Sequence, residues 1–287
     1  RGNSLVNFYF PVIFLPLLIL ITVTSSVSSP APDTAVVILV FVLMWQFVRF
    51  LDEPAVSASA SRMGVIIVLG GVIITVKLSV IAYAVVTMGL ALVIFVRRNW
   101  NREMKGEARP VVSALLIVSL LISAWVVRGY VLSGYPLFPS TIGGIGFDWS
   151  VPAERALLEQ QGIYSFARRT PGISDFQQTL MTWDWVRPWI YAQMHRVIDV
   201  VYPLIVASGA FLLSVAALLT PVGRRWSEHR KFLILPIPVL CGLVFWFFTA
   251  PDVRFVQGLF YLLPAVAAYP ILRVLSLKGR MTAIWVM

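Results

Sequence analysis

Cysteine, histidine and charge are all scarce in these 287 residues, and each scarcity closes off a class of protein. The single cysteine, Cys241, lies inside an apolar run, so no disulfide framework and no thiolate metal site can form within one chain. The two histidines, His195 and His229, fall on opposite sides of the membrane segments predicted below, which excludes a histidine-based metal centre. Charged residues make up 13% of the chain, about half the share of a soluble domain. No low-complexity tract, internal repeat or soluble-domain boundary stands out. Acids are fewer than bases, 13 against 23, giving a net charge of +10. In a soluble chain that imbalance would point to nucleic acid. Here no nucleic-acid partner is expected, because the bases collect in short loops between apolar runs, as cytoplasmic loops of membrane proteins do.

What the chain has is apolar length. It is 59% hydrophobic, with a mean hydropathy of +0.86. Runs that approach bilayer thickness recur at 5–23, 35–51, 63–76, 79–96, 111–128, 197–220, 232–250 and 255–272, and a ninth opens near Met281. The expected fold is all-α: a polytopic transmembrane bundle of about eight to nine spans with one long outer-face loop carrying short helices. About five spans fill 1–128, the outer segment covers 129–196, and three spans plus a truncated one fill 197–287. The connectors 25–32 and 54–61 are small-residue stretches. The start at Arg1 and the apolar close at Met287 lead us to expect a fragment of a longer protein. The stretch 63–96 is too long for one span and short for two, with Lys77 at its middle. Two short helices meeting at Lys77, Leu78 and Ser79 would place the ammonium at the interface. One tilted helix would bury it at a cost of about 3 kcal/mol or more.

Orientation follows from lysine and arginine. The loops 97–110, 221–231 and 273–280 hold Arg97, Arg98, Arg102, Lys105, Arg109, Arg224, Arg225, Arg230, Lys231, Arg273, Lys278 and Arg280. Alternating spans put all three on one side, the cytoplasmic one. The outer face then carries Lys77, the segment 129–196 and the turn from Pro251 to Arg254. That segment is far longer than a connector needs to be, and holds Trp149, Trp183, Trp185 and Trp189. Ser150 is a possible cap for a short helix opened by Pro152 and closed before Gly162. The stretch 181–196 has the composition of an interfacial helix, with Asp184 and Arg187 spaced to pair on one face; a lid over an outer site is the functional alternative. Gly143, Gly144 and Gly146 could form a backbone anion nest, although a flexible turn explains them as well.

Chemistry at such a face would need cations to hold an anionic group and a carboxylate to move a proton or bind a metal. Lys77, Arg128 and Arg254 share the outer face by topology alone. Asp148, Asp252, Glu154 and Asp184 are its visible acids, and Asp199 begins the next span. Each has a plainer role available: Arg128 and Lys77 can snorkel at span ends, Asp252 and Arg254 can pair within a tight loop, and His195 can be an interface residue.

The stretch 128–139, RGYVLSGYPLFP, resembles one that closes a span and opens an outer loop in polytopic sugar transferases of the GT-C class. The chain is most similar to an uncharacterised bacterial membrane-protein family related to that class. Its glycine-tyrosine-proline stretch is followed by the pair Asp148 and Trp149, with Val151 and Pro152 just after. Its proline-aspartate-x-arginine-phenylalanine motif corresponds to Pro251 to Phe255, and its lysine-leucine-serine stretch to Lys77, Leu78 and Ser79. The resemblance implies a membrane glycosyltransferase, moving a hexosyl or pentosyl group from a polyprenyl-phosphate donor at the outer face of the bacterial cytoplasmic membrane. Its site would include Asp148 and Asp252 as catalytic candidates and Lys77, Arg128, Arg254, Arg187 and Tyr135 as substrate or phosphate contacts. A divalent cation is a possible cofactor, and the lipid bilayer and the lipid-linked donor are the expected partners. One departure stands out: GT-C enzymes carry an essential acid in the first outer loop, whereas the connector 24–34 offers only Asp33. The acidic loop is therefore expected upstream of Arg1. Two other readings remain beside this one: an O-antigen polymerase or ligase, with a large arginine-rich outer loop, and a transporter or flippase.

Overall fold

The computed structural model describes residues 32–52, 56–99, 108–169, 176–219 and 233–285. Helices account for almost all the regular structure there, and no strand occurs among the described residues. In chain order the long helices are α1 (Asp33–Asp52), α2 (Val56–Val76), α3 (Ile81–Asn99) and α4 (Arg109–Ser133). Three shorter ones follow: α5 (Ala153–Arg168), α6 (Phe176–Met181) and α7 (Val186–Met194). A π-turn, Val197–Val201, leads into α8 (Tyr202–Leu219), and α9 (Pro236–Thr249) and α10 (Gln257–Trp285) complete the bundle. Among the described residues, five segments are long and apolar enough to cross a membrane: Asp33–Asp52, Ser59–Val76, Leu78–Asn99, Arg109–Ser133 and Val197–Ala217. Pro236–Thr249 and Gln257–Leu272 are shorter apolar helices. The predicted span 5–23 lies outside the described residues.

The centre of the bundle is α1, buried nearly all round its circumference through Val40, Phe41, Leu43, Met44, Phe47 and Phe50. A helix apolar on every face is satisfied only at the middle of a core or in lipid. Helices α2, α3 and α10 pack against α1, α9 lies along α3, α4 along α2, and α8 along α10. The two flanking helices leave their side chains open: Leu116, Leu120 and Leu132 on α4, and Ile205, Leu212 and Leu219 on α8, are all exposed. In water that much contiguous apolar surface would drive association, whereas in hydrocarbon it is the normal lining of a bundle.

The break at Lys77 takes the hairpin form. Helix α2 stops at Val76, Lys77 is extended at φ −154° and ψ 113°, and a 3-10 turn, Leu78–Val80, starts the return. The two helices are not short, however. Helix α2 begins at Val56, taking in most of the stretch read as a connector at 54–61, and Ser59 and Ala60 are buried there, small enough to let a neighbouring helix approach closely. The last helix also differs from expectation. It runs unbroken from Gln257 to Trp285, so 273–280 is helix rather than a loop before a ninth span.

Helix α4 outruns its predicted end by five residues, to Ser133. Gly134 stops it in the left-handed region at φ 81°, donating its N–H to the Tyr130 carbonyl at 2.8 Å. The chain then folds back so closely that a Cβ on Gly129 would sit 2.7 Å from the Pro136 carbonyl oxygen, which explains the glycine there. Ser150 does not cap α5. Its hydroxyl donates to the Ile145 carbonyl at 2.8 Å and accepts from the Phe147 N–H at 2.9 Å. Nor does α5 end before Gly162; it continues to Arg168. A Cβ at Gly162 meets nothing within 4 Å. Gly162→Ala is therefore expected to stabilise the helix by about 1 kcal/mol, read as a higher melting temperature in detergent.

Candidate functional site

The chain direction of the helices fixes two ends of the bundle. At one, Arg98 donates to the Phe50 and Leu51 carbonyls at 3.0 Å each, capping the C-terminus of α1, where cations are favoured. At the other end lie the start of α1, the α2–α3 hairpin, the α9–α10 turn and the described residues of 134–169 and 176–196.

A charged cluster forms at that second end from three parts of the chain far apart in sequence. Asp33, the first residue of α1, places Oδ1 against the Lys77 ammonium in a close ion pair. Its Oδ2 lies 4.0 Å from Arg254 Nε. Lys77 also donates to the Arg254 backbone carbonyl at 3.3 Å, and Ser79 Oγ to the Phe255 carbonyl at 2.7 Å. The two cations sit over one ring, Lys77 Nζ 5.3 Å and the Arg254 guanidinium 5.5 Å from the Phe255 centroid. Beside them Asp252 Oδ1 accepts the Arg254 N–H at 3.0 Å, capping the 3-10 turn Val253–Phe255, and lies 3.7 Å from Arg196 Nη1.

The turn that carries Asp252 and Arg254 is held by donors from the outer segment and from α9. Trp189 Nε1 donates to the Pro251 carbonyl at 2.9 Å, and Trp246 Nε1 to the Asp252 carbonyl at 2.8 Å. Arg168 Nη2 reaches the Phe248 and Thr249 carbonyls at 3.2 and 3.4 Å, closing the C-terminus of α9. The Arg168 guanidinium lies over the Trp185 ring at 5.2 Å, and burial pulls its pKa below the ordinary arginine value. It stays protonated all the same, since arginine titrates far above neutrality. Trp185 and Trp189 are buried against Phe247, so this part of segment 129–196 is docked onto the bundle. One turn into the bundle, Asp199 Oδ1 accepts from Tyr261 Oη at 2.7 Å and Gln257 Nε2 at 2.8 Å.

Of the residues the sequence singled out, Lys77, Asp252 and Arg254 come together. Arg128 is exposed on the side of α4, more than a turn before its end, and Arg187 is exposed on α7. Asp148 is exposed in a turn, and Tyr135 is buried with its hydroxyl donating to the Val151 carbonyl at 3.0 Å. Among the described residues no hydrogen bond or ion pair joins these four to the cluster. Glu154 and Asp184 are exposed, and Asp184 precedes α7 rather than sharing a face with Arg187. Two donors of the glycine stretch are engaged within the loop: the Gly144 N–H bonds the Thr141 carbonyl and the Ile145 N–H the Gly134 carbonyl. His195 Nδ1 lies 2.8 Å from the Tyr191 carbonyl, an exposed local contact.

Sequence reasoning passed over Asp33 and Arg196 as site residues. A signal for Asp33 was present, since it is the acid of the connector 24–34 and opens a span on the face that holds Lys77. The donor set suits an anion. Three cations surround two carboxylates, each of which already faces a cation, and a divalent metal would meet Lys77 and Arg254 where it needs oxygen ligands. Among the described residues no three of His, Cys, Asp and Glu gather as a metal-holding group.

A family model described as a domain of unknown function matches residues 2–261. No curated protein and no solved structure matches the chain.

Proposed function

The chain belongs to the DUF8201 family, whose description carries no activity, and from the site itself we propose a membrane enzyme of GT-C type that transfers a sugar from a polyprenyl-phosphate donor. The observation that carries this reading is the Asp33 carboxylate held between Lys77 and Arg254 at one end of an apolar bundle. In this reading the two cations hold the donor phosphate and stabilise the charge that develops on it. The acceptor oxygen forms a bond to the anomeric carbon as the bond from that carbon to the phosphate oxygen breaks. The electron pair stays on the phosphate, and the acceptor proton passes to a carboxylate of the cluster. Asp33 is assigned that role because Asp252 is engaged in capping its own turn.

The same reading makes the chain a multi-pass protein of the bacterial cytoplasmic membrane, with eight to nine spans and segment 129–196 on the outer face. Its support is the placement of Arg97, Arg98 and Arg109 at the end opposite the cluster, as the positive-inside pattern requires. The test is release of polyprenyl phosphate from a panel of labelled polyprenyl-phosphate hexoses and pentoses by protein reconstituted in vesicles. Lys77→Glu and Arg254→Glu are expected to lower transfer at least 100-fold, the scale for losing one electrostatic stabiliser, while both still insert. Retained transfer in both variants would sink the assignment.

A transporter is favoured by a single feature, the Asp199 carboxylate bonded by Tyr261 and Gln257 inside the bundle, since carboxylates at that depth often line pathways. Uptake of a labelled substrate into sealed vesicles, without turnover, would favour it over the transferase.

A further inference from the structure

We infer that Asp33 keeps the anion site filled with its own carboxylate, and that substrate enters by exchanging a phosphate group for it. The inference rests on the phosphate-binding reading above and concerns how that site is guarded. Its first support is geometry. The two carboxylate oxygens are divided between two cations, Oδ1 on Lys77 and Oδ2 toward Arg254, which is how two oxygens of a phosphate would be shared. The cations do not depend on Asp33 for their places. Both lie over the Phe255 ring, and Lys77 is further anchored to the Arg254 carbonyl. A cradle that persists without its resident anion is preorganised for another.

Access gives the second support. The Arg254 side chain is 60% exposed and Asp33 26%, but Lys77 only 13%. A ligand coming from the water reaches the arginine directly and the lysine only by moving the aspartate aside. Asp33 also has somewhere favourable to remain: as the first residue of α1 it stays at the positive dipole end of that helix whether or not it touches Lys77.

Charge gives the third. With Asp33 engaged, Lys77 and Arg254 present one net positive charge; with Asp33 displaced, they present two. The neighbouring Asp252 and Arg196 cancel each other. The opened site therefore accepts the singly charged phosphodiester of the donor, and matches the doubly charged monoester left after transfer better than a carboxylate or a zwitterionic headgroup. Those phosphates can be free or borne on a lipid, and the test separates the two.

The experiment compares the intact protein with Asp33→Asn, Lys77→Ala and the double variant. Binding is measured to inorganic pyrophosphate, and to nanodiscs of phosphatidylcholine with or without phosphatidic acid. Asp33→Asn is expected to bind about tenfold or more tightly than the parent, with the gain steepest at low salt and lost when Lys77→Ala is added. A gain confined to pyrophosphate identifies a free phosphate, and a gain with phosphatidic acid a lipid-borne one; either supports the exchange. Equal affinity in the parent and Asp33→Asn, both lost with Lys77→Ala, overturns the exchange and leaves the phosphate site standing. No binding by any variant, including those that melt like the parent, overturns the phosphate reading itself. If Asp33→Asn does not fold, Asp33→Ser keeps a small polar side chain in the first turn of α1 and carries the same expectation.

Discussion

Trp185→Ala is expected to destabilise the protein by about 3–5 kcal/mol, the range for removing a buried tryptophan without collapse of the cavity. Trp185 is 2% exposed and sits among Trp183, Trp189 and Phe247, with ring centroids at 6.1, 6.0 and 5.8 Å, and with Arg168 over its face. Its loss removes the cover that keeps Arg168 aimed at the α9 carbonyls. It also opens the wall behind Trp189, whose indole N–H holds the Pro251 carbonyl. The outer segment should then undock before the membrane helices melt. Trypsin has Arg155, Arg168, Arg169 and Arg196 to cut there, so digestion in vesicles tests the idea directly. Cleavage within 153–196 should accelerate in Trp185→Ala and far less in Trp185→Phe. Equal protection of parent and Trp185→Ala would show that the segment is held by something other than this cluster.

Lys77→Met is the second large effect. It strands the Asp33 carboxylate with only the distant edge of Arg254, and breaking a fully buried ion pair from one side costs about 3–5 kcal/mol. Asp33 is a quarter exposed, so water screens part of the loss and about 2–3 kcal/mol is the expected cost. Adding Asp33→Asn should recover most of it, because the second change removes the uncompensated charge. Melting curves in detergent for the parent, both single variants and the double variant give the coupling. Additive costs would mean the pair contributes nothing as a pair. The kinetic consequence differs from the thermodynamic one: the double variant is expected to regain stability, while under the proposed transferase function, which needs Lys77 to hold the donor phosphate, transfer stays lost.

The membrane helices were legible because their signal is local. A run of apolar residues announces itself wherever it falls, and Lys77 marked the hairpin because a lysine within an apolar stretch must reach an interface. Boundaries were less legible. The stretch from Val56 to Ser61 looked like a connector, since small residues score low on hydropathy, yet it opens α2, with Ser59 and Ala60 buried. The stretch 128–139 drew attention as a site motif. In the structure its glycines and Tyr135 shape the stop of α4 and the return of the chain, through Gly134 at positive φ, the close approach at Gly129 and the bond from Tyr135 to Val151.

By itself the sequence determined that the protein is helical and apolar enough for a bilayer. It also determined that Lys77, Asp252 and Arg254 stand at one end of the bundle, because span alternation carries a residue to one face or the other without reference to its neighbours. Only the tertiary structure decided which charges meet there. Asp33 and Lys77 are 44 positions apart and Lys77 and Arg254 are 177 apart, and they touch because α2, α3 and α10 pack around α1. Arg128, Asp148 and Arg187 share their end of the bundle and stay exposed, outside the cluster. Hydropathy sets the depth of a side chain in the membrane; its neighbours at that depth are set by the packing of helix on helix, which no local stretch of sequence contains.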